Sequence, residues 1–315
     1  MQINRFMLSF EIPKSEREID FTDAILLIGS CFSNEIGEQF VQSGFNAYTN
    51  PFGIAYNPLS IANQLVKSID LTSSCSIFSS KGKYLDWESA GIYVANTKED
   101  LQVRLVETRQ LLHDKIIAAS CLFITLGSAY AYRLKENNRV VANCHKQPAY
   151  LFTKELLEFE VMKDTWVETI QKIKRLNPNI TICFTVSPVR HVKDGIIENN
   201  RSKARLFELI SYLEAIEKIT YFPSYEIVVD ELRDYRFYKA DTIHPSSEAI
   251  QYVWERFSQA YFSPSTIELL SKVQAIRKAE QHRFLAADST ESLIHMEETK
   301  RKKEELSKLN PSIIW

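Results

Sequence analysis

The residues that could carry covalent chemistry lie at two points far apart in the chain. Ser30 and Cys31 follow an apolar run that ends in Gly29. Asp241 stands three residues before His244. A hydroxyl or thiol attacks a carbonyl carbon when a histidine takes its proton and a carboxylate orients that histidine. The two points together therefore supply the groups that acyl transfer needs, provided that the fold brings them to one place.

The residues around the candidate nucleophile predict a strand that turns sharply into a helix. Residues 25–28 are all apolar, which is typical of a buried parallel strand, and Phe32, Ile36 and Phe40 then recur at helical spacing. Side chains at such a turn lie at the carboxyl edge of the sheet, beside free N–H groups that bias a thiol toward its anion. An ordinary tight turn with a buried cysteine is an equally good interpretation of this stretch alone.

The rest of the chain alternates apolar runs with helical patterns. This alternation predicts an α/β fold, a doubly wound parallel sheet of about five strands with helices on both faces. Residues 70–97 and 128–152 interrupt the alternation and are predicted to form hairpins or loops. We expect a sheet domain over residues 1–262 and a charged helical C-terminal extension over residues 263–315, packed on the domain or on a partner.

Composition excludes several classes of protein. With 315 residues, 45% hydrophobic and 25% charged, the chain can bury a large core and is typical of a soluble globular protein. A net charge of −2 argues against a nucleic-acid partner. No apolar run approaches the ~20 residues of a membrane span, and the N-terminal residues lack a signal-peptide pattern. Five cysteines without a CxxC pair are best explained as reduced thiols, so we expect a cytoplasmic protein.

The sequence offers little support for a metal or a cofactor. Cys144 and His145 are adjacent, and Cys31, His191 and His244 could complete a tetrahedral zinc site with them. None of these residues has the close paired spacing of structural zinc sites, so we expect no metal. The chain also lacks GxGxxG and GxxxxGK[ST], the nucleotide-binding fingerprints, and we expect no cofactor.

Five motifs in series resemble the GSCFA-domain proteins of bacteria over roughly residues 20–260. The motifs are GSCFS (29–33), NPFGIAYNP (50–58), NCHKQPA (143–149), TVSPVRH (185–191) and DTIHPS (241–246). The first and last are also similar to the blocks of the SGNH/GDSL hydrolase superfamily, in which a Gly-x-nucleophile turn follows strand one and a DxxH precedes the final helix. The resemblance implies a flavodoxin-like, SGNH-hydrolase-like sheet.

The resemblance also implies roles for the residues of the first and last motifs. Position for position, the nucleophile falls on Cys31, and Ser30 takes the place of the aspartate in the superfamily's Gly-Asp-Ser. A shifted turn in which Ser30 attacks is the alternative. His244 would be the base and then the acid, and Asp241 would orient it. A thiolate beside a helix N-terminus and His244 would have its pKa lowered by both.

The resemblance leaves the oxyanion donors incomplete. Gly53 matches the glycine of the superfamily's second block. The third block, usually Gly-x-Asn-Asp, here begins at Gly127 and has no asparagine in place. We expect the N–H groups of the turn, Gly53 and Gly127 to donate to the oxyanion, with Asn143 replacing the missing side chain. The remaining candidates for substrate contact are His145, Arg190 and His191, and the arginine could clamp a carboxylate or phosphate.

These residues predict an SGNH-like hydrolase or acyltransferase that forms an acyl-enzyme. By superfamily analogy its substrates are small-molecule or glycan esters, such as acetylated carbohydrates. The alternative is a non-catalytic binding or scaffold protein that keeps the fold, which the substituted first block and the missing asparagine favour. The acyl group, the leaving group and the oligomeric state stay open, as does a homo-oligomeric or partner contact through the C-terminal helices.

Overall fold

The computed structural model describes residues 7–282 and 290–315. Its centre is a parallel sheet of five strands, in spatial order β2 (Asn46–Thr49), β1 (Ala24–Gly29), β6 (Cys121–Leu126), β10 (Thr181–Val186) and β11 (Thr220–Tyr221). Counted along the chain, these strands have the order 2-1-3-4-5, which is the flavodoxin-like doubly wound arrangement. The predicted fold class is confirmed.

Successive side chains of the buried strands point to opposite faces of the sheet, so the core consists of two apolar layers. In β1, Leu26 and Ile28 face one layer, and Ile25 and Leu27 face the other. The first layer is covered by α2 (Pro58–Ile69), α3 (Lys98–Ala118), α4 (Phe159–Leu176) and α5 (Ile196–Ile216). The second is covered by α1 (Cys31–Gln42), α7 (Ser247–Tyr261), α8 (Pro264–Glu280) and α9 (Thr290–Leu309). Because both faces are covered, the central strands are predominantly apolar.

Two small antiparallel sheets form where the sequence predicted interruptions. The first consists of β3 (Ile77–Ser80), β4 (Lys83–Asp86) and β5 (Val94–Ala95), and the second of β7 (Tyr130–Leu134), β8 (Val140–Val141) and β9 (Phe152–Leu156). The Trp87 ring stacks on Phe78 at 3.6 Å and contacts the edge of Phe152 at 5.6 Å. This tryptophan therefore joins the two small sheets.

Two segments differ from the sequence prediction. The sequence pattern of residues 153–175 predicts a helix, but the helix begins at Phe159, because residues 152–156 pair with β7 as β9. The apolar runs 219–221 and 225–229 are alternative predictions for the last strand; the first contributes β11, and the second is helical, in α6 (Ser224–Glu226) and the π-helix Ile227–Leu232. Ile227 and Val228 are buried in the layer that contains α7. In both segments tertiary contacts decide between structures that a short apolar run leaves ambiguous.

The C-terminal helices pack on the sheet domain. Leu270, Val273 and Leu306 belong to the same apolar cluster as α1 and α7. The N–H of Ile314 also donates to the carbonyl oxygen of Gly44, at 2.8 Å. The extension thus covers one face of the domain. Among the helices that the structure describes, none is both long and apolar enough to cross a bilayer.

Candidate active site

The turn after β1 fits tightly against the neighbouring strand. Gly29 has φ +139°, and a Cβ at this position would lie 2.1 Å from the carbonyl oxygen of Thr125 in β6. The next N–H, that of Ser30, donates to the same oxygen at 3.1 Å. Only glycine permits this approach. The turn therefore fixes the first residue of α1 beside the carboxyl end of β6.

Ser30 and Cys31 differ in their availability for chemistry. Ser30 is 0% exposed, and its Oγ accepts the N–H of Phe32 at 3.3 Å as the N-cap of α1. Cys31 is the first residue of the helix and is partly exposed. Since the serine hydroxyl is occupied in capping, the geometry favours the thiol as the group that a substrate can reach.

Burial raises the pKa of the Cys31 thiol above its ordinary value. The carboxylate of Glu35, one turn further along α1, adds to the increase. The N–H groups of Cys31 and Phe32 and the ammonium of Lys203 act in the opposite direction. The expectation of a lowered thiol pKa is therefore wrong, because desolvation outweighs the helix N-terminus.

Asp241 and His244 form a closed pair on the loop before α7. Nδ1 of His244 donates to one carboxylate oxygen of Asp241 at 2.7 Å. The other oxygen accepts the N–H groups of Ile243 at 2.8 Å and His244 at 3.0 Å. These backbone hydrogen bonds, and then the ring, lower the pKa of Asp241 to about 2. Because the ionised carboxylate is only an acceptor, Nδ1 carries the proton and Nε2 has its lone pair free.

An ion pair brings this loop to the first turns of α1. Nζ of Lys239 lies 3.0 Å from Oε1 of Glu35, and the N–H of Lys239 donates to the carbonyl oxygen of His244 at 2.7 Å. The charge of Lys239 also interacts with Asp241 and Cys31. The predicted nucleophile, base and orienting carboxylate thus lie at one edge of the sheet.

Arg190 holds the same loop from the side of β10. Its N–H donates to the carbonyl oxygen of Ile243 at 3.3 Å, and Nη1 donates to that of Thr242 at 3.4 Å. Nη2 donates to Oη of Tyr238 at 3.0 Å, and the guanidinium lies 4.3 Å from the centre of that ring. With these contacts Arg190 supports the Asp241–His244 loop, a role that the sequence did not indicate.

His191 contributes a buried neutral imidazole. Its ring meets the ring of Tyr56 edge-on, with centroids 5.2 Å apart. Burial lowers the pKa of His191 to about 4, and the charges of Lys203 and His244 act in the same direction. Within the described chain, Nε2 of His191 is buried without a hydrogen-bond partner. His191 is thus a neutral polar group that lies between Lys203 and the Asp241–His244 loop.

Lys203 is a component of the site that the sequence reasoning missed. It is 2% exposed, and its Nζ donates to the carbonyl oxygens of Gly127 at 2.7 Å and Ser187 at 2.6 Å. Burial lowers the pKa of Lys203 to about 7, while Cys31 raises it. The buried face of α5 carries Lys203 and Ser202 together with apolar residues such as Leu206. A lysine on the apolar face of an amphipathic helix is the signal that could have revealed it.

The N–H groups of the two glycines expected to donate to an oxyanion already have backbone partners. The N–H of Gly53 donates to the carbonyl oxygen of Asn50 at 2.8 Å, and that of Gly127 to the carbonyl oxygen of Tyr56 at 2.9 Å. Neither N–H is free for a substrate. The N–H groups of Cys31 and Phe32 face the thiol, and they are the backbone donors that the geometry offers instead.

Asn143 and His145 connect the two small sheets. Oδ1 of Asn143 accepts the N–H of His145 at 2.7 Å, and Nε2 of His145 lies 2.8 Å from the carbonyl oxygen of Asp86. Burial lowers the pKa of His145, and its ring packs against Trp87. Their contacts are therefore structural, and the structure offers nothing for the expected oxyanion role of Asn143 or substrate role of His145.

The described residues offer no metal centre. Within residues 7–282 and 290–315, no group of three or more histidine, cysteine, aspartate or glutamate side chains is arranged to hold a metal ion.

Comparison with known proteins places the chain in a family. No curated protein matches the sequence. The family described as the GSCFA family matches residues 24–257, a segment that runs from β1 into α7 and includes Cys31, Lys203 and His244. The match ends before α8, so the helical extension lies outside it. The chain belongs to the GSCFA family.

Proposed function

We propose that this protein is an SGNH-like ester hydrolase or acyltransferase that forms an acyl-enzyme on Cys31. The observation that carries the proposal is the hydrogen bond of 2.7 Å between Nδ1 of His244 and the carboxylate of Asp241. The loop that holds this pair is joined to α1 by the ion pair between Lys239 and Glu35. Glu35 lies one helical turn after Cys31. A base oriented in this way beside a partly exposed thiol is the arrangement that acyl transfer requires.

Proton transfer accompanies the attack in this mechanism. Because burial raises the pKa of Cys31, the thiolate is not preformed, and Nε2 of His244 takes the thiol proton as Sγ bonds to the acyl carbon. The carbonyl oxygen becomes an oxyanion, to which the N–H groups of Cys31 and Phe32 donate. His244 then returns the proton to the leaving alcohol as the C–O bond breaks.

The second half of the reaction uses the same base. His244 takes a proton from water, or from an acceptor hydroxyl in acyl transfer, and the oxygen attacks the thioester. The tetrahedral intermediate collapses, the C–S bond breaks, and the thiol recovers its proton from His244. His191, whose pKa burial lowers to about 4, stays neutral and does not compete with His244 for the proton.

Support for the substrate class comes from analogy and from exposure. O-acyl esters, such as acetylated carbohydrates, follow from the similarity to SGNH hydrolases. The side chain of His244 is 41% exposed, which leaves room for a bulky leaving group next to the base. We keep the expectation of a cytoplasmic protein and a small-molecule or glycan substrate.

Turnover of p-nitrophenyl acetate and of an acetylated xylo-oligosaccharide tests the proposal. We expect activity in the wild type and a loss of at least about 10³-fold in both Cys31→Ala and His244→Ala. Ser30→Ala should lose about 1 kcal/mol of stability with its cap but keep activity within a few-fold. Cys144→Ala, which removes another partly exposed thiol, is the matched control.

Two results would contradict the proposal. Activity that survives in Cys31→Ala and disappears in Ser30→Ala would assign the nucleophile to the serine. Wild-type turnover at the buffer rate on both substrates would favour a binding or scaffold protein that retains the fold.

A further inference from the structure

The ammonium of Lys203 is buried without a carboxylate partner in the part of the chain that the structure describes. Its Nζ instead donates to two backbone carbonyl oxygens, Gly127 after β6 and Ser187 after β10. A buried lysine is costly unless its charge is compensated. Two carbonyl oxygens compensate it in part. Gly127, whose carbonyl oxygen Lys203 binds, packs against the turn, since a Cβ at Gly127 would lie 3.3 Å from the Cβ of Ser30. Lys203 thus lies near the turn that carries Cys31, whose thiol can become an anion and interact with the ammonium.

The other charges that face Cys31 largely cancel. Glu35, on the same helix, is ion-paired at 3.0 Å with Lys239 from the Asp241–His244 loop. Tyr56, from the loop before α2, stays neutral because burial raises its pKa. On the side of α5, Lys203 therefore supplies a positive charge that no acidic side chain neutralises in the described structure.

We propose that Lys203 is a positioning residue for Cys31, which fixes the ends of β6 and β10 beside the turn and stabilises the thiolate through its charge. The thiol and the ammonium then titrate as a coupled pair, in which each charge favours the other. Burial lowers the pKa of Lys203 to about 7, although an anionic Cys31 acts to raise it. This inference rests on the proposed function only in that Cys31 is the reactive residue.

The pH dependence of Cys31 alkylation by iodoacetamide, followed by peptide mass analysis, tests the coupling. We expect Lys203→Met to raise the apparent pKa of Cys31 by about one unit, which lowers the alkylation rate at pH 7.5 about tenfold. Lys218→Met, at an exposed position beyond the other end of α5, should leave the profile unchanged. Circular dichroism establishes that each variant is folded. An unchanged profile in folded Lys203→Met would overturn the inference.

A second measurement covers the case in which Lys203→Met does not fold. In protein labelled with [¹³C]lysine, one lysine should titrate near pH 7, far below the ordinary range for lysine. Its midpoint should move to lower pH in Cys31→Ala. If no lysine titrates below pH 9, or if the midpoint does not move, the coupling does not exist.

These readouts separate the inference from the proposed function. A shifted alkylation profile without ester turnover would support the Lys203–Cys31 pair and count against the hydrolase. If the protein turns over esters and Lys203→Met leaves the alkylation profile unchanged, the hydrolase is supported and the Lys203–Cys31 pair is contradicted.

Discussion

The two histidines at the carboxyl edge of the sheet have opposite environments. His191 follows β10, its ring packs against Tyr56, and burial lowers its pKa to about 4. His244 follows Asp241 by three residues, keeps 41% of its side chain exposed, and donates Nδ1–H to the carboxylate. An imidazolium is stable only where water or an anion faces it. A position at the edge of the sheet is therefore not sufficient for a base, because burial makes the ring of His191 resist protonation.

This comparison assigns different chemistry to each loop. The imidazole of His191 has its Nε2 buried and stays neutral. The side chain of His244 is 41% exposed and hydrogen-bonded to a carboxylate, an environment that accommodates a charge during a reaction. Arg190 joins the two, because it precedes His191 in sequence and its donors bind the carbonyl oxygens of Thr242 and Ile243.

The largest expected effect is the difference between the histidines in acylation. His244→Gln should lower the rate of the p-nitrophenol burst about 10³-fold, since it removes the general base. His191→Gln should lower it at most about tenfold, because it removes only a ring that packs against Tyr56. Stopped-flow absorbance measures both rates. If the two variants lose the same factor, or if His191→Gln loses more, the assignment of the base to His244 is wrong.

Asp241→Asn tests the partner that distinguishes His244. The amide can donate to Nδ1 and so favour the wrong tautomer, and we expect the burst rate to fall about 10²-fold. In the wild type the pKa of Asp241 is about 2, so its carboxylate remains ionised across the pH range of the assay. Asp241 should therefore add no inflection to the wild-type pH–rate profile above pH 4. If the wild-type profile has an acid limb above pH 4 that Asp241→Asn removes, the ionised Asp241–His244 pair is contradicted.

The burial of His191 should make stability depend on pH. Its pKa falls from 6.5 in the unfolded chain to about 4 in the fold, so below pH 6.5 the unfolded chain binds a proton that the folded chain excludes. Stability should thus decrease as pH falls from 7 to 4.5, with about 2 kcal/mol due to His191. Urea unfolding at pH 7 and at pH 4.5 measures this difference in the free energy of unfolding. His191→Gln should lose this part of the dependence, and His113→Gln, at a histidine in α3, should retain it.

The smallest effect tests the connection between the loops. Arg190→Gln should lower the burst rate about tenfold, because the Asp241–His244 loop loses the side-chain donor to the carbonyl oxygen of Thr242, and Tyr238 loses its guanidinium partner. Arg201→Gln, an exposed arginine on α5 that pairs with Glu198, is the control and should not change the rate. Equal rates in Arg190→Gln and the wild type would show that the loop is held without the arginine.

Local sequence patterns were sufficient for the features that depend on neighbours in the chain. The apolar run before Gly29 predicted β1 and the turn, because a strand buried on both faces needs that pattern. The spacing of Asp241 and His244 predicted their hydrogen bond, since three residues on one loop suffice to close it. The alternation of strands and helices predicted a doubly wound parallel sheet of about five strands.

Features that depend on tertiary contacts were missed or wrongly assigned. Gly53 and Gly127 are in the expected region, but the partners of their N–H groups come from turns that the motif alone does not specify. Lys203 has no motif, because its role arises only where α5 crosses the ends of β6 and β10. The pKa of Cys31 depends on burial, which the helix-terminus argument ignored.

The most direct test of the account is the chemical location of the acyl group. Wild-type protein is mixed with p-nitrophenyl acetate, quenched in acid within milliseconds, and digested for peptide mass analysis, with Cys31→Ala and Ser30→Ala treated alike. The account predicts one acetyl group on Cys31, labile to hydroxylamine, present in Ser30→Ala and absent from Cys31→Ala. Acetyl on Ser30, or turnover without any acetyl on Cys31, would contradict it.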